Sequence, residues 1–220
     1  MNYNRMVFKG FCLFYKMDKI LIFDFDGVIA DSFNVVMKIL SENCEKYGLR
    51  KIKSKEDFFK LFDSNIFSSL LVSGLMPSKL KMLKSSLKDE LYGKYDKVKV
   101  FPGIKKVINE LGRNNKIFII SSNFEKILFN YLKKHSIKFD SIYGADKEIS
   151  KIRKIKIIKN KYKNREIYYI GDTKGDVIES RKAGIKNVAV SWGYHPKKRL
   201  LQAKPDFIAD RPEQLLDILS

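Results

Sequence analysis

Residues 19–32 read KILIFDFDGVIADS. Ile20, Leu21, Ile22 and Phe23 form an unbroken apolar run, of the length expected for a strand buried on both faces in a parallel sheet. The run ends in Asp24 and Asp26, one residue apart, with Gly27 directly after them. Residues i and i+2 share one side of a strand, so both carboxylates are expected together at its carboxyl end, where open α/β sheets hold their ligands. Two ionised carboxylates that close repel and are costly to desolvate. A hard, oxygen-seeking cation such as Mg2+ relieves both costs. A solvated strand end running into a turn carries the same letters, so the rest of the chain has to choose between the two readings.

Further apolar runs lie at 117–120, 167–170 and 187–190, with shorter ones at Ile142 and Tyr143 and at Phe207 and Ile208. Helical spacing fills the gaps, as in Ile104, Val107, Ile108 and Leu111, then Ile127, Leu128, Tyr131 and Leu132. This alternation predicts an α/β fold, a doubly wound parallel sheet whose right-handed crossovers put helices on both faces. Residues 32–98 break the alternation, because they hold helix patterns and no convincing strand. Phe33, Val36, Met37, Leu40, Cys44 and Tyr47 keep helical spacing behind a Ser32 cap, and Gly48 supplies a stop. Ser54 with Asp57 resembles a capping box, and a Ser78 cap after Pro77 precedes Leu80, Leu83, Leu87 and Leu91. The expected organisation is a core of residues 17–31 and 99–220 with a helical insert at 32–98. Residues 1–16 precede a second methionine, Met17, and read as an N-terminal extension that adds little to the fold or as the product of an upstream start.

A hydrophobic content of 45% over 220 residues supports a globular protein. No apolar stretch approaches the roughly 18 residues that a bilayer span requires. The segment FCLFY at 11–15 is bracketed by Lys9 and Lys16 and no small-residue cleavage site follows, so secretion is not expected. Cys12 and Cys44 lie far apart, without disulfide or zinc-ligand spacing, which points to the reducing cytoplasm. The formal charge is +19, yet lysine is spread along the whole chain and no arginine and aromatic array accompanies it. A solvated lysine surface accounts for it better than a nucleic-acid partner does.

Three more segments carry polar groups that complement the first. Ser121, Ser122 and Asn123 follow Ile120 and are expected to open a helix, offering a hydroxyl and backbone amides to an anion. GDTKGD at 171–176 follows Ile170 and supplies Asp172 and Asp176. Lys151 stands between them at a helix start. Taken singly, the serines read equally well as N-caps, the aspartates as helix-start residues and the lysine as one of many. Together, a carboxylate cluster, a hydroxyl with amides and a lysine describe a phosphate site.

With these pieces in place, the chain resembles the haloacid dehalogenase superfamily of hydrolases. The likeness rests on DFDGVIADS at 24–32, Ser121 after IFII, Lys151 and GDTKGD at 171–176, and it runs from about residue 18 to the end. The insert resembles the family's small helical cap, and VFPGI at 100–104 the re-entry into its Rossmann-like core. The tail, AGIKNVAVSWGYHP then PDFIADRPEQLLDIL, is similar to the phosphoglycolate phosphatase-like branch. True dehalogenases lack an acid two residues after the nucleophile, so the presence of Asp26 favours phosphoryl transfer.

The resemblance implies an Mg2+-dependent phosphatase acting on a small phosphorylated metabolite, of phosphoglycolate, sugar phosphate or nucleotide type. In that scheme Asp24 is the nucleophile that becomes an aspartyl phosphate, and Asp26 is the general acid and base. Asp24, the Asp26 backbone carbonyl and Asp172 hold the metal, with Asp176 supporting through water or as a further ligand. Ser121, the Ser122 and Gly27 amides and Lys151 meet the phosphoryl oxygens. Lys154 competes with Lys151 for the lysine role, although Ile155, Ile158 and Tyr162 then form a buried helix face behind Lys151. Loops of the insert normally face such a site, which makes FDSNIFSSLLVSG at 62–74 the candidate for selectivity, whereas Lys79, Lys81, Lys84 and Lys88 read as a solvated helix face. The rivals are a phosphomutase of the same superfamily and a basic binding or regulatory protein without turnover. Quaternary state has no signature in the sequence.

Overall fold

The computed structural model describes residues 19–47, 49 and 52–219. The proposed extension at 1–16, Met17, Cys12 and the Gly48 stop lie outside the described residues. A six-stranded sheet has the order β5-β4-β1-β6-β7-β8, from β1 (Ile20–Phe23), β4 (Lys116–Ile120), β5 (Ser141–Tyr143), β6 (Ile167–Gly171), β7 (Lys186–Val190) and β8 (Phe207–Ala209). All five pairings are parallel, so each needs a crossover, and helices supply them. The fold is a Rossmann-like α/β sheet.

Alternate strand residues face opposite layers. Leu21, Phe23, Ile117, Ile119, Tyr168 and Ile170 pack with α5 (Ile104–Leu111), α6 (Glu125–Lys134) and α10 (Gln214–Leu219). Ile20, Ile22, Phe118, Ile120, Ile167 and Tyr169 pack with Ile155 and Ile158 of α7 (Lys151–Lys161) and with Ala183, which ends α8 (Lys174–Lys182). A third cluster joins Val177 of α8 to Leu200 of α9 (Lys197–Gln202). No helix among the described residues is long and apolar enough to cross a membrane.

A short antiparallel ribbon carries the chain away from the sheet and back. It pairs β2 (Ala30–Asp31) with β3 (Lys99–Val100). Between them lie α1 (Phe33–Lys46), α2 (Lys55–Leu61), α3 (Ile66–Val72), α4 (Pro77–Tyr92) and a 3₁₀ turn at Tyr95–Lys97. Three local expectations change. The candidate selectivity segment 62–74 is built around a helix, α3, rather than a loop. The cap of α4 is Met76 with Pro77 in its first turn, where a missing N–H costs nothing, and not Ser78. Ser121 and Ser122 do not open a helix, since α6 begins at Glu125 behind Phe124.

Candidate active site

Strand register explains why distant motifs meet. Phe23 lies opposite Ile119 on one side and Ile170 on the other, so the residues just beyond these strands emerge at one edge of the sheet. Here the chain leaves β1 for β4 and β5, then returns to β6 on the other side of β1, which is the switch point that opens a crevice. Asp24, Asp26, Ser121, Ser122, Asn123, Lys151 and Asp176 all line one cavity there.

Asp24, Asp172 and Asp176 are buried, and each offers a carboxylate oxygen within 4.8 Å of the others. Lys151 Nζ bridges two of them, at 2.6 Å from Asp24 Oδ2 and 2.7 Å from Asp176 Oδ1. Lys154, wholly buried, instead donates to the Ser121 carbonyl at 2.7 Å. Of the two candidate lysines, Lys151 is the one that reaches the carboxylates. The capping box of α8 holds Asp176 in place, with Thr173 and Asp176 each bonding the other's backbone amide.

Burial pushes the Asp24 carboxyl up to about 7, against the pull of Lys151 and with Asp176 adding repulsion. Burial also raises Asp172 well above the carboxylate range, with Asp176 and Asp24 adding to the effect. At Asp176 burial is outweighed by Lys151 and by the bonds from Lys151 and Thr173, so its carboxyl is lowered. Lys151 is raised well above its ordinary value, because Asp176 and Asp24 outweigh its own burial. One lysine thus compensates part of a three-carboxylate cluster.

Asp172 Oδ1 has no hydrogen-bond partner among the described residues, although it is buried. Its other oxygen accepts from the Tyr194 amide at 2.6 Å. Two glycines keep space around this carboxylate. A Cβ on Gly27, whose φ is +79°, would sit 1.9 Å from Asp172 Oδ2, and one on Gly193 would sit 2.4 Å from it. An orphaned buried oxygen beside two more carboxylates suits a hard divalent ion. These three residues can hold a metal.

Asp26 is treated differently from its neighbour. The strand ends at Phe23, so the two-residue period no longer governs Asp24 and Asp26, and their carboxylates take separate partners. Asp26 Oδ1 accepts from Ser32 Oγ at 2.7 Å and from the Tyr95 hydroxyl. Asp26 Oδ2 accepts longer bonds from Asn123 Nδ2 at 3.3 Å and Ser121 Oγ at 3.5 Å. Ser32 stands at the N-cap position of α1 but makes no side-chain cap; its hydroxyl is 2.8 Å from that of Tyr194. Burial raises the Asp26 carboxyl, opposed chiefly by the Tyr95 bond. Gly27 differs from its expected role, because its amide donates to the Ala30 carbonyl at 2.9 Å inside the turn and is not aimed at a phosphoryl group.

Tyr95, Tyr194 and Ser32 were not among the expected site residues. Tyr95 had no local signal, and Tyr194 stood only as part of a tail segment. Glu179 also lines the cavity, with burial pushing its carboxyl up to about 7. The helical segment seats on the core beside the site. Gly175 donates to the Phe62 carbonyl at 3.0 Å, and Arg199 grips Asp63 with two bonds of 2.9 and 2.6 Å. His195 is sandwiched between elements: its Nδ1 accepts from the Lys174 amide, so its Nε2 carries the proton and donates to the Phe59 carbonyl at 3.0 Å.

The haloacid dehalogenase-like hydrolase family matches residues 21–190. The chain is 25% identical over 205 residues to a phosphoglycolate phosphatase of Synechococcus elongatus, covering 91% of this chain and 96% of that protein. It is 23% identical over 211 residues to the pyrophosphatase PpaX of Bacillus thuringiensis, covering 91% and 95%. A haloacid dehalogenase-like hydrolase structure from Streptococcus pneumoniae shares the fold at a TM-score of 0.75 and 23% identity, covering 93% of this chain and 99% of that one. From the motif order, the sheet and a match over most of its length, the chain belongs to the haloacid dehalogenase-like hydrolase family.

Proposed function

We propose that the protein is an Mg2+-dependent phosphatase of small phosphomonoesters, working through an aspartyl phosphate on Asp24. The observation that carries this reading is the Lys151 bridge between Asp24 and Asp176 beside the orphaned oxygen of Asp172. Asp24, Asp172, Asp176 and the Asp26 backbone carbonyl are the proposed ligands. The bound ion would supply charge neutralisation for the phosphoryl oxygens.

In the first step an Asp24 carboxylate oxygen attacks phosphorus and the ester oxygen leaves. Asp26 gives that oxygen a proton, then takes one from the water that hydrolyses the aspartyl phosphate. Two hydroxyls occupy Asp26 Oδ1, so Oδ2, with its longer contacts, is the oxygen that carries the proton. The raised carboxyl of Asp26 favours the protonated form that the first step needs. Ser121, the Ser122 amide and Lys151 position the phosphoryl group. Residues 32–98 serve as a cap domain over the crevice, and a reducing cytoplasm suits the free, buried Cys44.

The test is phosphate release from a panel of phosphomonoesters with Mg2+, in parallel for the parent and Asp24→Asn. Release by the parent and none by a folded Asp24→Asn is expected. Equal turnover by the two would refute the assignment.

A further inference from the structure

A phosphoryl site leaves open which alcohol is released, and the space beside it narrows the choice. The cavity holding Asp24 and Asp26 runs on between α1, α3, α4 and the loop after β4, where its wall is Ile39, Phe67, Leu70, Leu87, Leu91 and Phe124. All six are buried. Side chains that merely fill a helical interior close on one another; these also border a space continuous with the nucleophile.

Charge is missing from that wall. Lys151 is the cation lining the cavity among the described residues, and it is bound to Asp24 and Asp176. Lys84 and Lys88 of α4 are not on the wall: Lys84 donates to the Ala145 carbonyl at 2.9 Å and lies over the Phe67 ring, while Lys88 lies over the Phe124 ring. The polar groups on the helical side are already engaged. Asn65 accepts from the Phe67 amide and donates to the Ile149 carbonyl, both at 3.1 Å, and Ser64 pairs with Ser69 at 2.9 Å. A second anion on the leaving alcohol would be desolvated there without a counter-charge, with Asp26 and Glu179 in the same cavity. A polyhydroxyl leaving group would give up water for apolar walls.

We propose that the substrate is the phosphomonoester of an uncharged, apolar alcohol, whose hydrocarbon body lies against Ile39, Phe67, Leu70, Leu87, Leu91 and Phe124. The proposal rests on the phosphatase reading above. It departs from the substrates in the relatives' names, since phosphoglycolate bears a carboxylate and pyrophosphate a second phosphate.

Benzyl phosphate and 2-phosphoglycolate both release primary alcohols, so comparing them isolates recognition from leaving-group reactivity. Steady-state kinetics of the full chain with Mg2+ on these two and on pyrophosphate are the test. Burying an aromatic ring's worth of apolar surface should favour benzyl phosphate over phosphoglycolate by about 10- to 100-fold in kcat/KM. Leu70→Arg, which plants a cation in the wall, should cut that ratio by about tenfold or more. If Leu70→Arg does not fold, Leu87→Ala replaces it, and should lower the ratio of kcat/KM for benzyl phosphate to that for phosphoglycolate. A wild-type ratio below about ten overturns the inference and leaves the phosphatase reading standing, because phosphate is still released. No phosphate from any of the three compounds defeats both.

Discussion

Replacing Lys151 by methionine is the sharpest probe of the site, because it removes one cation from among three buried carboxylates while nearly keeping volume. The Nζ atom lies 2.6 Å from Asp24 and 2.7 Å from Asp176, and all three side chains are buried. At an effective dielectric of about 20, each pair has a gross attraction of about 6 kcal/mol. Desolvation of the ammonium, several kcal/mol, is recovered in the variant, and relief comes too from the proton that Asp24 takes up once its partner is gone. The net cost should be about 3–5 kcal/mol, the range for breaking a buried pair from one side. Urea denaturation in EDTA at pH 8, followed by the fluorescence of the single tryptophan, Trp192, reads this directly. Adding Asp24→Asn to Lys151→Met should return part of the loss, with a coupling of about 1–3 kcal/mol in the double-mutant cycle. A loss below about 1 kcal/mol together with additive single variants would show that the bridge carries no weight, and would sink the electrostatic account of the site.

Gly193→Ala should collide with Gly27 O at 2.3 Å and with Asp172 Cβ and Oδ2 at 2.4 Å, lowering stability and abolishing the rise in melting temperature that Mg2+ is expected to give the parent; a parent-like Mg2+ response in the variant would contradict it. Burial holds His195 down at about 4, with the Phe59 carbonyl opposing and Arg199 assisting, against about 6.5 in the unfolded chain. Between these values the unfolded state binds the extra proton, so this contribution is complete above pH 6.5 and is lost as pH falls toward 4. Measured against His195→Gln, the parent should lose roughly 3 kcal/mol more over that interval, and parallel stability curves would refute it.

The parallel sheet was legible because its signal is local. Each strand, Ile20–Phe23 or Ile167–Gly171, is an apolar run that has to be buried on both faces, and each helix repeats with a 3.6-residue period. Helix starts were less legible: Ser78 and Ser121 have the right chemistry for a cap, but Pro77 and the loop to Phe124 moved the boundaries. The α3 helix was hidden in FDSNIFSSLLVSG, since seven residues are too few for periodicity to speak.

The residues proposed to carry the chemistry could be picked out in the sequence alone, since Asp24, Asp26, Ser121, Lys151, Asp172 and Asp176 each follow an apolar run or lie at a helix start. Their pairings were decided only in three dimensions. Lys151 rather than Lys154 meets Asp24, Gly27 spends its amide on Ala30, and Asp26 is gripped by Ser32 and by Tyr95 from 69 residues away. Periodicity reports which side of an element is buried, but not which buried side chain of another element it will face. That choice is made by packing, and so is the apolar wall that α1, α3, α4 and the loop after β4 set beside Asp24.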